Sequence, residues 1–136
     1  MARWLFKSEP DCYAYADLER DGTTLWDGVS NALARKHLRA VQPGDQVLFY
    51  HTGDEKAVVG VMTAVSGPQP DPGADDPKAV VVQVQPSRKF ATPVTLAAVK
   101  ADPTFSDWEL VRQPRLSVMP VTDAQWKRVE AMARRS

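Results

Sequence analysis

From Gln46 to Thr52 the chain alternates, setting Val47, Phe49 and His51 on one side and Leu48 and Tyr50 on the other. Both sides carry large apolar or aromatic groups, so this strand is expected to be at least partly covered on both faces. Gly53-Asp54 reads as a hairpin turn into a second strand, Ala57 to Val65, in which Gly60 signals a bulge or a close backbone approach. Gly67 to Pro77 holds four prolines, two glycines and three aspartates, a loop by composition. Beyond it Lys78 to Gln85 resumes with Val80, Val82 and Val84 on one face, the third strand of a meander. With short helices interspersed among its strands, the chain is expected to form a curved or barrel-like sheet of the α+β class, mixed but mostly antiparallel, rather than a parallel βαβ stack.

The remaining elements flank that meander. Arg3 to Ser8 reads as a first strand, with Trp4, Phe6 and Ser8 on one face, Leu5 and Lys7 on the other, and Pro10 ending it. Tyr13 to Arg20 can make a short helix closed by Asp21-Gly22. Thr95 to Ala101 is a short helical segment, Pro103 to Trp108 is turn-rich, and Arg115 to Met119 is a short strand between two prolines. Thr122 and Gln125 have capping-box spacing, and Trp126, Val129 and Met132 or Ala133 form the apolar side of a terminal helix. No internal repeat is present, and 136 residues suit one domain over positions 1–136.

Function is most legible between Trp26 and Arg39. Trp26 and a turn at Gly28 precede two N-cap candidates, Ser30 and Asn31, and a basic helix. Unpaired N–H groups at such a helix start, beside an aromatic ring, form a place for an anion or a flat polar ring. Arg35, Lys36 and Arg39 lie outward; Arg35 and Arg39 are one turn apart, where like charges repel by roughly 0.2–0.5 kcal/mol unless an anion relieves them. The same residues read equally well as a core tryptophan, a turn and a solvated face. Ala34, Leu38 and Val41, with Leu33 beside them, give the helix a core-facing stripe.

Lys plus Arg number 17 and so do Asp plus Glu, so no overall field draws the chain to nucleic acid or membrane, and any nucleic-acid site must be a local patch. Basic residues gather at 35–39, 88–89, 112–115 and 127–135. A lone Cys12 excludes an intrachain disulfide, and no stretch approaches the ~20 apolar residues of a membrane span, so a cytoplasmic chain without a membrane partner is expected. His37 and His51 lie in different elements without a nearby cysteine, so no metal site is expected. The seven glycines form no dinucleotide, phosphate-loop or nucleophile-elbow motif, and no cofactor is expected. Cys12 with His51 is a weak thiol–base candidate, and both read better as structural.

Ser8, Asn31, His51 and Ser117 are the polar side chains expected to converge if strand ends and the helix start meet. The blocks Arg3-Trp4-Leu5-Phe6-Lys7-Ser8-Glu9-Pro10, Leu25-Trp26-Asp27-Gly28-Val29 with Asn31, Ala34-Arg35, Leu38-Arg39, Gly44-Asp45, Phe49-Tyr50-His51 and Arg115-Leu116-Ser117-Val118 resemble the EVE domain family. The resemblance implies a PUA-like pseudobarrel with a pocket for a modified nucleobase. It places Trp26 and Tyr50 as aromatic walls, Ser8, Val29, Asn31, His51 and Ser117 around the base, and Lys7 and Arg35 nearby; with the outward Lys36 and Arg39 of the basic helix, these two are expected to face the nucleic-acid backbone. Ser30, Lys36 and Thr52 depart from the family's usual residues, and the stretch 67–78 is shorter than usual. The resulting expectation is a non-enzymatic, monomeric module that reads a substituted cytosine in DNA or a modified base in RNA. The alternatives are an RNA- or nucleotide-processing enzyme of the related ASCH type and a small-molecule sensor. A base removed from its stack needs aromatic faces and polar partners, and one methyl group adds only ~1–3 kcal/mol of discrimination.

Overall fold

The computed structural model describes residues 2–29, 31–73 and 75–134. Its first strand, β1 (Arg3–Ser8), is followed by α1 (Tyr15–Asp21), the three-residue β2 (Thr24–Trp26) and α2 (Ala32–Arg39). The meander comes next: β3 (Gln46–His51), β4 (Ala57–Ala64), the two-residue β5 (Gln69–Pro70) and the long β6 (Val80–Thr95). Then follow α3 (Leu96–Ala101), a 3-10 turn at Pro103–Phe105, α4 (Glu109–Arg112), β7 (Val118–Pro120) and α5 (Asp123–Ala133). Among the described residues the strands lie in the order β2-β6-β4-β3-β1-β7, with β5 added beside β6. The β1–β3 pair is parallel, from Arg3 opposite Gln46 to Ser8 opposite His51, and every other pair is antiparallel.

The sheet curls into a PUA-like pseudobarrel, as expected. In a flat sheet β2 and β1 would stand about 19 Å apart, four strand spacings. Instead the ring of Trp26 on β2 lies 5.3 Å from those of Phe6 on β1 and Phe49 on β3. Bulges supply the bend. The β3–β4 register shifts at Phe49/Tyr50, and the β4–β6 register shifts twice, around Gly60 and at Val61/Met62. Gly60 is both the bulge and the close approach expected of it, since a β-carbon there would meet the Tyr15 ring and the Arg88 carbonyl.

β6 runs ten residues past the expected end at Gln85. Pro86 would break a regular ladder, but it falls at a register shift: Met62 pairs with Pro86 and Val61 with Arg88, leaving Ser87 unpaired in the bulge. β2 and α4 were not expected. The last strand begins at Val118, three residues later than expected at Arg115.

The core occupies both faces of β1 and β3, where Leu5, Phe6, Val47, Leu48 and Phe49 are all fully buried. Trp108, Phe105 and Trp126 close it from the C-terminal third of the chain, and α5 packs on β6. The α5 capping box forms as its spacing requires, Gln125 N–H to Thr122 Oγ1 at 3.1 Å and Thr122 N–H to Gln125 Oε1 at 2.9 Å. On α2, Ala34 and Leu38 are buried, with Val41 just beyond. Leu33 departs from the expected stripe, being 37 % exposed. No helix among the described residues is long and apolar enough to cross a membrane.

Candidate functional site

Where β1 ends and β2 passes, the structure opens a cleft of about 400 Å³. Lys7 and Ser8 border it from β1, Cys12 and Tyr13 from the β1–α1 loop, and Thr24, Leu25, Trp26 and Asp27 from β2 and the turn after it. Ser8 Oγ donates to the Tyr13 carbonyl at 2.6 Å, and the Tyr13 hydroxyl donates to Asp21 at 3.0 Å, so the loop is tied at both ends. Gly28, at φ +72°, then turns the chain from β2 towards α2, a conformation that favours glycine.

Lys7 spans two hollows. Its backbone N–H bonds the Ser117 carbonyl at 2.9 Å, and its ammonium donates to the Pro114 carbonyl at 2.9 Å. Pro114 lines a neighbouring hollow of about 360 Å³ with Asn31, Leu33, Arg115 and Leu116. Burial pushes the Lys7 ammonium below the ordinary lysine range, and the charge lies 5.6 Å from the centre of the Tyr50 ring, within cation–π reach.

The expected site residues are therefore only partly brought together. Trp26 and Ser8 line the first cleft, Ser117 touches its Lys7 through the backbone, and Asn31 lines the second hollow. Asn31 also caps α2, its side chain accepting from Ala34 N–H at 3.0 Å; the other cap candidate, Ser30, lies outside the described residues. Val29 is buried, and with Arg35 it borders a separate hollow near Asp71, Asp75 and Asp76. Trp26 is both wall and core: only 7 % of it is exposed, and its ring packs on Phe6 and Phe49.

Three expected roles need correction. Tyr50 is not among the residues lining the cleft; it is 3 % exposed, with the Lys7 charge over its ring. His51 has both ring nitrogens engaged, Nε2 accepting from Tyr15 N–H at 3.1 Å and Nδ1 lying 2.7 Å from Glu55 Oε1. That arrangement fixes α1 and leaves the ring without a free polar edge for a ligand, or a free base for Cys12, whose thiol sits instead against Glu9 at 3.5 Å. Hydrogen bonding to Glu9, then its charge, pushes that thiol upward, away from the reactive thiolate. Arg35 does not stand free for phosphate: its Nε donates to the Val29 carbonyl at 2.7 Å and its Nη1 to Asp76 at 2.9 Å. The anion that relieves the Arg35–Arg39 repulsion is the protein's own carboxylate, and Arg39 in turn donates to the Lys78 carbonyl at 2.9 Å.

Tyr13, Thr24 and Asp27 enter the cleft without having been singled out in the sequence. A short signal for β2 exists, since Thr24-Leu25-Trp26 are strand formers bounded by Gly22 and by Asp27-Gly28.

The sequence pattern of the EVE domain matches residues 2–132. The chain belongs to the EVE domain family. Human thymocyte nuclear protein 1 is 30% identical over 92% of this chain and 71% of its own length. Among solved structures, the EVE fold seen here superposes on Rpa0253 from Rhodopseudomonas palustris with a TM-score of 0.92 at 38% identity, covering 98% of this chain and 93% of that one. It also superposes on the human THYN1 protein in complex with 5-methylcytosine-containing DNA, with a TM-score of 0.92 at 28% identity, covering 100% of this chain and 99% of that one.

Chemically, this EVE cleft offers aromatic and aliphatic surface from Tyr13, Leu25 and Trp26, an ammonium from Lys7 and a carboxylate from Asp27. Its volume falls within the range of sites that hold small molecules, a nucleobase included.

Proposed function

We propose that this EVE domain is a DNA-binding module that holds an extruded, 5-substituted cytosine in the cleft between β1 and β2 and carries out no reaction on it. The observation that carries the reading is the superposition, over the whole chain, on a protein solved with 5-methylcytosine-containing DNA. The residue types of the cleft support it, because a base taken from its stack needs apolar faces to replace stacking and polar groups for its edge. Tyr13 and Trp26 supply the first, and Lys7, Ser8 and Asp27 the second. Lys36, Arg39 and Arg115 are exposed on α2 and beside the second hollow, and they are the cations assigned to the phosphate backbone. DNA is preferred to RNA as the partner because the DNA complex is the relative's.

Titrating the protein with paired DNA and RNA oligonucleotides, each with cytosine or 5-methylcytosine at one position, tests the reading. Tighter binding of the methylated DNA is expected, with the oligonucleotide recovered unchanged after long incubation. Equal binding of methylated and unmethylated DNA, or preference for the RNA pair, overturns it. Recovery of a cleaved or altered base makes the protein an enzyme instead.

A further inference from the structure

Two charged side chains border the cleft, Lys7 from β1 and Asp27 from the turn after β2, and neither is fully used by the fold. Lys7 commits one of its three ammonium hydrogens, to the Pro114 carbonyl. Asp27 is exposed and makes no hydrogen bond or ion pair with any of the described residues. A carboxylate in a DNA-binding cleft repels the approaching phosphates, so any favourable contact it makes must be with a base donor. Carboxylates accept from the 4-amino group of cytosine, and ammonium groups donate to ring acceptors.

Apolar fit alone leaves a problem that these two charges solve. Thymine carries the same 5-methyl group as 5-methylcytosine, and a wall of Leu25 and Trp26 senses both alike. The two bases differ on the polar edge, where 5-methylcytosine has a 4-amino donor beside an N3 acceptor and thymine has an O4 acceptor beside an N3–H donor. Around the ring the 4-position adjoins the 5-position, with N3 and O2 on the far side. In the cleft, Asp27 follows Leu25 and Trp26 in the chain on the β2 side, and Lys7 stands on the β1 side. We propose that Asp27 accepts from the 4-amino group of the bound base while Lys7 donates to its N3 and O2 edge, so that the cleft rejects thymine. Thymine would set O4 against the carboxylate, acceptor to acceptor.

This assignment rests on the modified-base reading above, and the test separates the two. Binding is measured by fluorescence anisotropy with duplexes carrying cytosine, 5-methylcytosine or thymine opposite an abasic site, so that extrusion breaks no base pair for any of them. The whole chain and its Asp27→Asn and Asp27→Ala variants are compared, with a thermal melt on each. The wild-type protein is expected to favour 5-methylcytosine over thymine by about tenfold or more, the size of one mismatched polar contact. In Asp27→Asn that ratio falls by about tenfold, because a carboxamide can turn its N–H to O4, whereas Asp27→Ala loses affinity for 5-methylcytosine without that turn. Wild-type protein that prefers 5-methylcytosine to cytosine yet binds thymine equally well overturns the edge reading alone. A folded Asp27→Asn that discriminates as sharply as wild type does the same. Wild-type protein with no preference between cytosine and 5-methylcytosine overturns the functional reading, and this assignment with it.

Discussion

A β-carbon at Gly60 would stand 2.8 Å from the Tyr15 ring and 2.9 Å from the Arg88 carbonyl. Neither neighbour can give way freely: Tyr15 is buried, with its hydroxyl on the Val61 carbonyl at 2.8 Å and its N–H on His51, and Arg88 is held in β6. Gly60→Ala is therefore expected to lose ~1–3 kcal/mol of stability through overpacking, read as a lower midpoint in a denaturant melt. The cleft walls divide differently. Trp26→Ala should cost ~3–5 kcal/mol of stability, since Phe6 and Phe49 lose the ring they pack on, so a binding loss in that variant says little about stacking. Tyr13 is the cleaner probe, half-buried at the cleft and outside the sheet. Tyr13→Ala is expected to lower affinity for 5-methylcytosine DNA by ~1–3 kcal/mol, the range for base–aromatic stacking, and, although it also releases the hydrogen bond to Asp21, to lower the melting point less than Trp26→Ala does. An unchanged affinity would remove Tyr13 from the wall. The alternation around Phe49 makes a covered histidine at position 51 legible, but the partners that occupy its ring, Tyr15 and Glu55, belong to another element and a turn, which no local pattern reveals.

At the scale of elements, α5 is held at three kinds of contact. Its capping box satisfies the first turn, Trp126 is buried beneath it, and Arg128 donates to Asp102 at 2.6 Å, tying the helix to the end of α3. Trp126→Ala is expected to cost ~3–5 kcal/mol in the melt. The Arg128 hydrogen bond, helped by the Thr104 N–H, holds the Asp102 carboxyl below the ordinary carboxylate range. A depressed folded-state value stabilises above the unfolded value of about 4, and the contribution is lost as pH falls through the folded value. Asp102→Asn keeps an oxygen for Thr104 but puts an amino group where the other oxygen accepts from Arg128, removing both the charge and that acceptor, so its melting point should lie below wild type at neutral pH, with the gap narrowing well below pH ~4. The helix itself was legible because its cap and its apolar positions are neighbours along the chain. β6 was legible only as far as Gln85, since what carries it past Pro86 is a bulge opposite Val61 and Met62, a property of the partner strand. Leu33 fits the stripe of α2 by spacing, yet its surroundings, the 113–116 loop, come from far along the sequence.

At the scale of the whole molecule, equal numbers of positive and negative side chains leave no net field, and much of the positive charge is already answered within the fold. Arg3, Arg35, Arg88, Arg112 and Arg128 each face a carboxylate. Counting basic clusters along the sequence therefore overstates the patch open to DNA: the cluster at 88–89, like Arg35, includes an arginine whose counter-charge arrives from a distant segment, and Arg112 faces Asp107 from its own stretch. Lys36 and Arg115 have no ion-pair partner among the described residues, and they flank the hollow next to the cleft or the helix that borders it. Each phosphate contact contributes about 0.9 to the slope of log affinity against log salt for duplex DNA. Arg115→Ala is accordingly expected to lower the slope by about that amount and to weaken methylated and unmethylated duplexes by the same factor. Arg35→Ala should act otherwise, lowering the melting point by freeing Val29 and Asp76 while leaving the slope of the remaining folded protein nearly unchanged. Salt titrations of both variants at matched folded fractions decide it. A slope that drops for Arg35→Ala and holds for Arg115→Ala would mean that DNA displaces Asp76 from Arg35, moving the phosphate track from the hollow beside Arg115 to the Arg35 side of α2.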